Sequence, residues 1–419
     1  MSKIEQTALT VVAEVTPGQQ NHLNDLLTQL GTKPDDNQQL PCSKVNSLHF
    51  ACFVILNADG PHPPCLVFES NFDGAVDAYL NQMTAVGREG LISIFRHCVG
   101  FPVNPTEAQI REYIIKHSIP NAAFYIAFRG QSVAAIRNAI SVREEIESFL
   151  DAQQAVGALN GLSAQKIVER IQAHLASPNV VSPQVSQTTI AEMAGLAKRN
   201  TILLILIALP LVLLFLPFII IWMLLLRWRE YRDNHKVLAP LPVDPRLFEF
   251  PDLRTQSHLT TMVTVRDGWV RALTLKFVLA VTSLLAKKVA IAGNLLGIPT
   301  IHFARWAMMD NGKRMIFFSN YDGSWSSYLG DFVDKAKYGL TAIWGNTDRF
   351  PPSKWLAFGG AAQMTPFKEW SHEHNVFSPF YYRAYPSATV ANLLNDLDIR
   401  DSVGIPMSEA EAAKFLKKL

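Results

Sequence analysis

Leu66-Val67-Phe68-Glu69-Ser70-Asn71-Phe72-Asp73-Gly74 in the first half of the chain is matched by Met315-Ile316-Phe317-Phe318-Ser319-Asn320-Tyr321-Asp322-Gly323 in the second. Working outward, Leu48-His49-Phe50-Ala51 and Ile301-His302-Phe303-Ala304 precede the two stretches, and Tyr79-Leu80 and Tyr328-Leu329 follow them. The register holds through Gly90-Leu91 and Gly339-Leu340 to Phe101-Pro102 and Phe350-Pro351. Further on, Phe124-Tyr125 is matched with Phe380-Tyr381. Identities in one order over so long a period imply duplicated domains rather than a solenoid, over residues 1–150 and 257–405.

Each repeat reads as β-α-β-β-α-β. Ala8–Val15 is strand-like, and Pro17-Gly18 leads into an amphipathic helix carrying Leu23, Leu26, Leu27 and Leu30. The apolar strand Leu48–Leu56 and the strand Cys65–Ser70 flank a turn rich in Gly and Pro. A helix then opens at Asp73-Gly74, and a strand over Ala122–Phe128 precedes a helix with Val142, Ile146 and Phe149 on one face. In the second repeat Asn311-Gly312 marks the hairpin turn. This order is the split-βαβ, ferredoxin-like pattern. The expected fold class is α+β: two tandem ferredoxin-like repeats that pair their sheets as a pseudo-dimeric barrel.

A hydrophobic segment separates the repeats. From Asn200 to Leu226 there is no charged residue. As a straight helix this stretch would measure about 40 Å, against a hydrocarbon core of about 30 Å. The segment 200–227 is therefore expected in a lipid bilayer, as a tilted helix or, bent at Pro210 and Pro217, as a hairpin. Basic residues flank both ends (Lys198 and Arg199, then Arg227, Arg229 and Arg232), so charge does not set the orientation. Paired repeats need both domains on one side, which favours the hairpin. The N-terminus lacks the apolar core of a secretory signal, so both repeats are expected in the cytoplasm. Residues 151–199 read as a helical and polar linker, 228–256 as a Pro-rich connector and 406–419 as a helical tail. The apolar helix from Val270 to Leu296 is read either as lying on the bilayer surface or as a core helix at the domain interface.

A formal net charge of +2 offers no basic field for nucleic acid. Cys42, Cys52, Cys65 and Cys98 form no C-x-x-C pair, and no Gly-rich phosphate loop, Gly-x-Ser-x-Gly elbow or H-E-x-x-H is present, so no metal site is expected. The repeated polar residues remain. Counted from the hairpin turns, His49 falls opposite Asn71 and His302 opposite Asn320. An imidazole held by an amide can serve as general base, haem ligand or proton carrier. Alternatively the pair ties the open end of the hairpin while Asp73 and Asp322 cap the following helix. Divergent positions include Arg305-Trp306 in place of Cys52-Phe53. Arg129, Arg137, His117, His372, His374, Arg383 and Tyr385 are candidate pocket residues. His372-x-His374 would share one face if it lay on a strand.

The duplicated pattern resembles the dimeric α+β barrel superfamily, which includes dye-decolourising peroxidases and chlorite dismutases. Those peroxidases carry a G-x-x-D-G motif whose Asp assists peroxide cleavage on haem. Here Asp73-Gly74 and Asp322-Gly323 match the end of that motif, and its first Gly is missing. The family's downstream haem-ligand region has no counterpart, and the membrane segment is foreign to the pattern. The resemblance implies a membrane-attached, peroxidase-like oxidoreductase acting on an apolar or lipid-derived small molecule, with haem as the possible cofactor. His49, His302, Asn71, Asn320, Asp73, Asp322 and Arg305 are the catalytic candidates. The competing expectation is a non-catalytic membrane protein that binds lipid or a small molecule, or recruits partners. Fold alone does not choose between them, and the oligomeric state stays open.

Overall fold

The computed structural model describes residues 5–186, 189–233, 241–249, 255–295 and 297–419. It is a mixed α+β structure built on antiparallel sheets. In the first half run β1 (Gln6–Glu14), α1 (Gln20–Leu30), β2 (Leu48–Leu56), β3 (Cys65–Asp73), α2 (Val76–Phe95), α3 (Glu107–Lys116), β4 (Ser118–Ile119), β5 (Asn121–Ile126) and α4 (Val133–Ala155). The middle holds α5 (Ala164–Leu175), α6 (Ile190–Leu214), α7 (Leu216–Asp233) and the short α8 (Arg246–Glu249). The second half has β6 (Gln256–Thr264), α9 (Trp269–Lys288), β7 (Ile301–Met309), β8 (Arg314–Asp322), α10 (Trp325–Asp331) and α11 (Lys337–Trp344). It ends with β9 (Ser353–Lys354), β10 (Phe358–Gly359), α12 (Met364–Glu373), β11 (Phe380–Arg383), α13 (Val390–Ser402) and α14 (Glu409–Leu416).

Alternation along the strands gives each large sheet two apolar faces. One face receives helices: Phe72 stacks on Tyr79 at 3.9 Å and Tyr321 on Tyr328 at 3.9 Å, the same contact in both halves. The sheet orders are β11-β2-β3-β1-β4 and β5-β7-β8-β6. β1 and β6 share one burial sequence along their length, and so do β2 and β7. The last strand of each half begins on its own sheet and ends on the other. His117 accepts from Val12 on β1 before β5 pairs with β7. His374 accepts from Met262 on β6 before β11 pairs with β2.

That pairing corrects one sequence match. Phe124 lies opposite Arg305 and Tyr125 opposite Ala304. Tyr381 lies opposite Cys52 and Tyr382 opposite Ala51. Phe124-Tyr125 therefore corresponds to Tyr381-Tyr382, one residue beyond the match read from sequence, and a slip of one residue exchanges the two faces of a strand. The Asn311-Gly312 turn is where it was expected, with Asp310, Asn311 and Gly312 all at positive φ, a backbone that Asn, Asp and Gly tolerate.

The middle also departs from expectation. Within the helical and polar linker, residues 164–175 form a helix that is packed and not free-standing: Val168, Ile171 and Leu175 join a second core with Val142, Ile146, Ile399 and Phe415. The tail helix α14 closes it, and Glu409 accepts the Ala164 and Gln165 N–H groups at the start of α5. The apolar segment begins its helix at Ile190, ten residues ahead of the expected boundary. It is one bent path, not two antiparallel arms, because Phe215 N–H donates to Leu211 and Ile219 N–H to Phe215 across the junction. Pro217 lies just beyond the bend, where its missing donor matters least. Of the Pro-rich connector, 234–240 and 250–254 lie outside the described residues. The greasy helix of the second half ends at Lys288 rather than near Leu296. Both α6 and α9 are long and apolar enough to cross a membrane.

Candidate functional site

A bulge in each hairpin decides where the repeated histidines point. The β2–β3 register shifts between Leu48 and Phe50, so Phe50, not His49, faces Asn71. The same shift between Ile301 and Phe303 places Phe303 opposite Asn320. The expected His–Asn pairs are thus replaced by His–Asp pairs. His49 Nε2 is 2.9 Å from Asp73 Oδ1, and its Nδ1 is 3.0 Å from the Tyr385 hydroxyl. His302 Nε2 is 2.7 Å from Asp322 Oδ1.

The second oxygen of each Asp holds a helix. Val133 N–H donates to Asp73 Oδ2 at 2.8 Å, and Val390 N–H donates to Asp322 Oδ2 at 2.7 Å. These are the first residues of α4 and α13, so the carboxylates cap the helix after the exchanged strand of each half and not the helix that follows them in sequence. A carboxylate there satisfies an orphan donor and meets the positive end of the helix dipole. Gln6 and Gln256 reinforce the clasp. Gln6 Nε2 donates to the Phe128 and Gln131 carbonyls, and Gln256 Nε2 to those of Tyr385 and Ala388.

The two clasps meet reciprocally. His49 lies 5.3 Å from Phe303 and Phe50 lies 5.5 Å from His302, ring centre to ring centre, with Phe50 and Phe303 in contact between them. Both imidazoles are sealed, at no more than 1% exposure. Haem does not fit: His49 has both ring nitrogens engaged, and the unpartnered Nδ1 of His302 lies within this packed aromatic cluster. Asp73 and Asp322, the residues that match the peroxidase motif, are occupied by a helix N-terminus and a histidine.

The other candidates separate into distinct places. Asn71 donates to Glu69 at 2.6 Å, while Asn320 contacts His258 at 3.1 Å. Burial holds the His258 pKa below the ordinary imidazole value. Arg305 pairs with Glu69 at 3.2 Å and donates to the Leu9 and Ser70 carbonyls, linking β7 to the facing sheet. Both side chains are 1% exposed. Their counterparts, Cys52 for Arg305 and Phe318 for Glu69, are uncharged, so the buried ion pair occurs once across the two halves. Arg137 donates to Ala384, Arg129 to Ala286, and His117 bonds the Tyr113 carbonyl. His372 lies on α12 and His374 caps its end, so the shared strand face does not form. The four thiols are buried, and burial pushes Cys98 up to about 12.

Two surface features remain. A cleft of about 650 Å³ opens where α1 and the end of β2 meet the second half, with Asp59, Arg246, Arg314, Met262, His374 and Phe377 among its walls. Elsewhere, Leu206, Leu209, Leu213, Phe218 and Ile221 of α6 and α7 are exposed, as are Leu273, Phe277 and Leu284 of α9. The polar end of α7 is fastened to the body: Glu230, fully buried, accepts the Trp355 and Leu356 N–H groups, and Asp233 accepts from Arg271. Comparison with protein-family models, curated proteins and solved structures gives no match for the chain.

Proposed function

We propose that the chain is a membrane-attached binding protein that makes no catalytic use of its repeated histidines. Its body is read as two ferredoxin-like repeats closed into a pseudo-dimeric α+β barrel by exchange of their last strands. The pairing of β5 with β7 and of β11 with β2 supports that reading. So does the shared burial sequence of β1 with β6 and of β2 with β7.

The observation that carries the function is a contrast between two sets of residues. Those suited to acid–base or haem chemistry are enclosed and hold helix ends, whereas the large apolar side chains of α6, α7 and α9 face outward. Contiguous exposed apolar surface on this scale needs a nonaqueous partner. The cleft, with Asp59, Arg246 and Arg314 beside Met262 and Phe377, suits an amphipathic, lipid-derived ligand.

Vesicle flotation of the full-length protein tests the reading. The wild-type chain is expected to rise with vesicles of phosphatidylcholine and phosphatidylglycerol. A variant with Leu206, Leu209, Leu213, Phe218 and Ile221 changed to Ser is expected to stay at the bottom with its melting unchanged. Equal flotation of the two, or of neither, contradicts the proposal. A Soret band on haemin addition, abolished by His49→Ala or His302→Ala, would restore the oxidoreductase reading.

A further inference from the structure

We infer that α6, α7 and α9 form one face that sinks into a single leaflet carrying anionic headgroups, with the helices tangential to the membrane instead of crossing it. This rests on the attachment proposed above and supplies its topology.

Helix α9 has two committed faces. Leu275, Leu279 and Ala286 belong to the main core, while Leu273, Phe277, Val281 and Leu284 are exposed. Arg271, 1% exposed, sits on the same helix and binds Asp233. If α9 crossed the hydrocarbon, the sheet packed on its inner face and the loops at both its ends would be drawn in too, and irregular backbone exposed to lipid is not tolerated. A tangential α9 keeps the body in water and only the outer stripe in lipid.

The uncharged stretch of the α6–α7 path is tied to α9 near both its ends. Asn200 Nδ2 donates to the Lys288 carbonyl at 3.0 Å, and Trp222 Nε1 donates to Thr274 Oγ1 at 3.0 Å. The path between these ties, about 33 Å of helix, runs antiparallel to α9. Beyond Trp222, Glu230 and Asp233 anchor it again. Both flanks are thus returned to the same folded body. A span needs its two ends on opposite sides of the bilayer. The α6–α7 path is apolar on every side, so it lies immersed, and α9 with the body supplies the polar cover that an amphipathic helix would carry itself.

The charge around the face is mostly positive. No acidic residue occurs between Glu192 and Glu230 or within α9, and Glu230 is buried. The exposed cations around the face are Lys198, Arg199, Arg232, Lys276, Lys287 and Lys288, against two exposed acids at its margins among the described residues, Glu192 at the start of α6 and Asp267 ahead of α9. Trp228, Tyr231 and Trp269 are exposed at the end where α7 meets α9. A rim of cations and interfacial aromatics fits anionic headgroups.

Depth-dependent quenching on the full-length protein tests this, with a fluorophore at Leu211→Cys and vesicles of phosphatidylcholine and phosphatidylglycerol. The four native cysteines are buried and leave a low labelling background. Lipids spin-labelled near the headgroup should quench several-fold more strongly than lipids labelled at the chain end. Ser177→Cys and Asp267→Cys, on the two flanks, should both react with an impermeant maleimide added outside. Stronger quenching from the chain end, or protection of one flank until the vesicles are lysed, overturns the topology. Equal flotation on phosphatidylcholine alone overturns the anionic preference. Failure to float on either vesicle removes the attachment itself, a result separate from both.

Discussion

Asp73 and Asp322 each join a strand end, a histidine and the start of a helix, so replacing one of them should register as stability. Asp73→Asn and Asp322→Asn are each expected to cost about 1–3 kcal/mol, read as a lower urea midpoint with an unchanged slope. A midpoint that does not move would remove the clasp role. The buried Arg305–Glu69 pair makes a different prediction. Arg305→Met alone strands a carboxylate that is 1% exposed and should cost about 3–5 kcal/mol. Arg305→Met with Glu69→Met should recover most of that loss, and an additive double-mutant cycle would contradict the pairing. His374 supplies a pH test. Burial holds it down to about 4 from an ordinary 6.5, while its Nδ1 bonds the Trp370 carbonyl. Between those values the unfolded chain takes up a proton that the folded chain refuses, so stability falls as pH is lowered through that window. His374→Asn should lose less melting temperature than wild type between pH 7 and pH 5, and equal losses would refute the assignment. Sequence brought the repeated His49, His302, Asp73 and Asp322 forward and paired the histidines with Asn71 and Asn320 in place of the aspartates. Counting from a turn cannot see a bulge, and each hairpin carries one just at its histidine. The glutamine clasps were missed, because the first strand was read from Ala8 and residue 256 was placed in the connector, although Gln6-Thr7-Ala8-Leu9-Thr10 parallels Gln256-Ser257-His258-Leu259-Thr260. Glu69 was missed although it diverges as Arg305 does, because its partner lies on the facing sheet and sequence does not show which residues of the two sheets meet.

At the scale of elements, strand and helix order followed from periodicity, because alternation and the 3.6-residue repeat are written locally. Exchange of β5 and β11 was not, since nothing in a strand's own residues says whose neighbour it becomes. The bend at Phe215 was half visible: prolines mark a weak point in a helix and do not fix its angle. The role of residues 164–175 was hidden for a similar reason, as an amphipathic helix does not name what it packs against. One close approach tests how the elements fit. Gly31 ends α1, and a Cβ there would overlap the Pro379 carbonyl, which belongs to the other half. Gly31→Ala should therefore cost about 3 kcal/mol in thermal or urea unfolding. A neutral result would mean that α1 and the segment leading into β11 do not meet as described.

For the whole molecule, the proposal assigns different tasks to different surfaces. The inter-sheet core and the two clasps make a body whose halves hold each other's last strands, and the long bent helix lies on its outside with both ends fastened. A bilayer would meet only that helix and the outer stripe of α9. Hydrogen exchange on the full-length protein, with and without vesicles of phosphatidylcholine and phosphatidylglycerol, is the most direct test. Vesicle-dependent protection is expected to concentrate in residues 196–229 and 269–288, with the Val133 and Val390 amides unchanged. No vesicle-dependent change, or protection spread over the sheets, would contradict it.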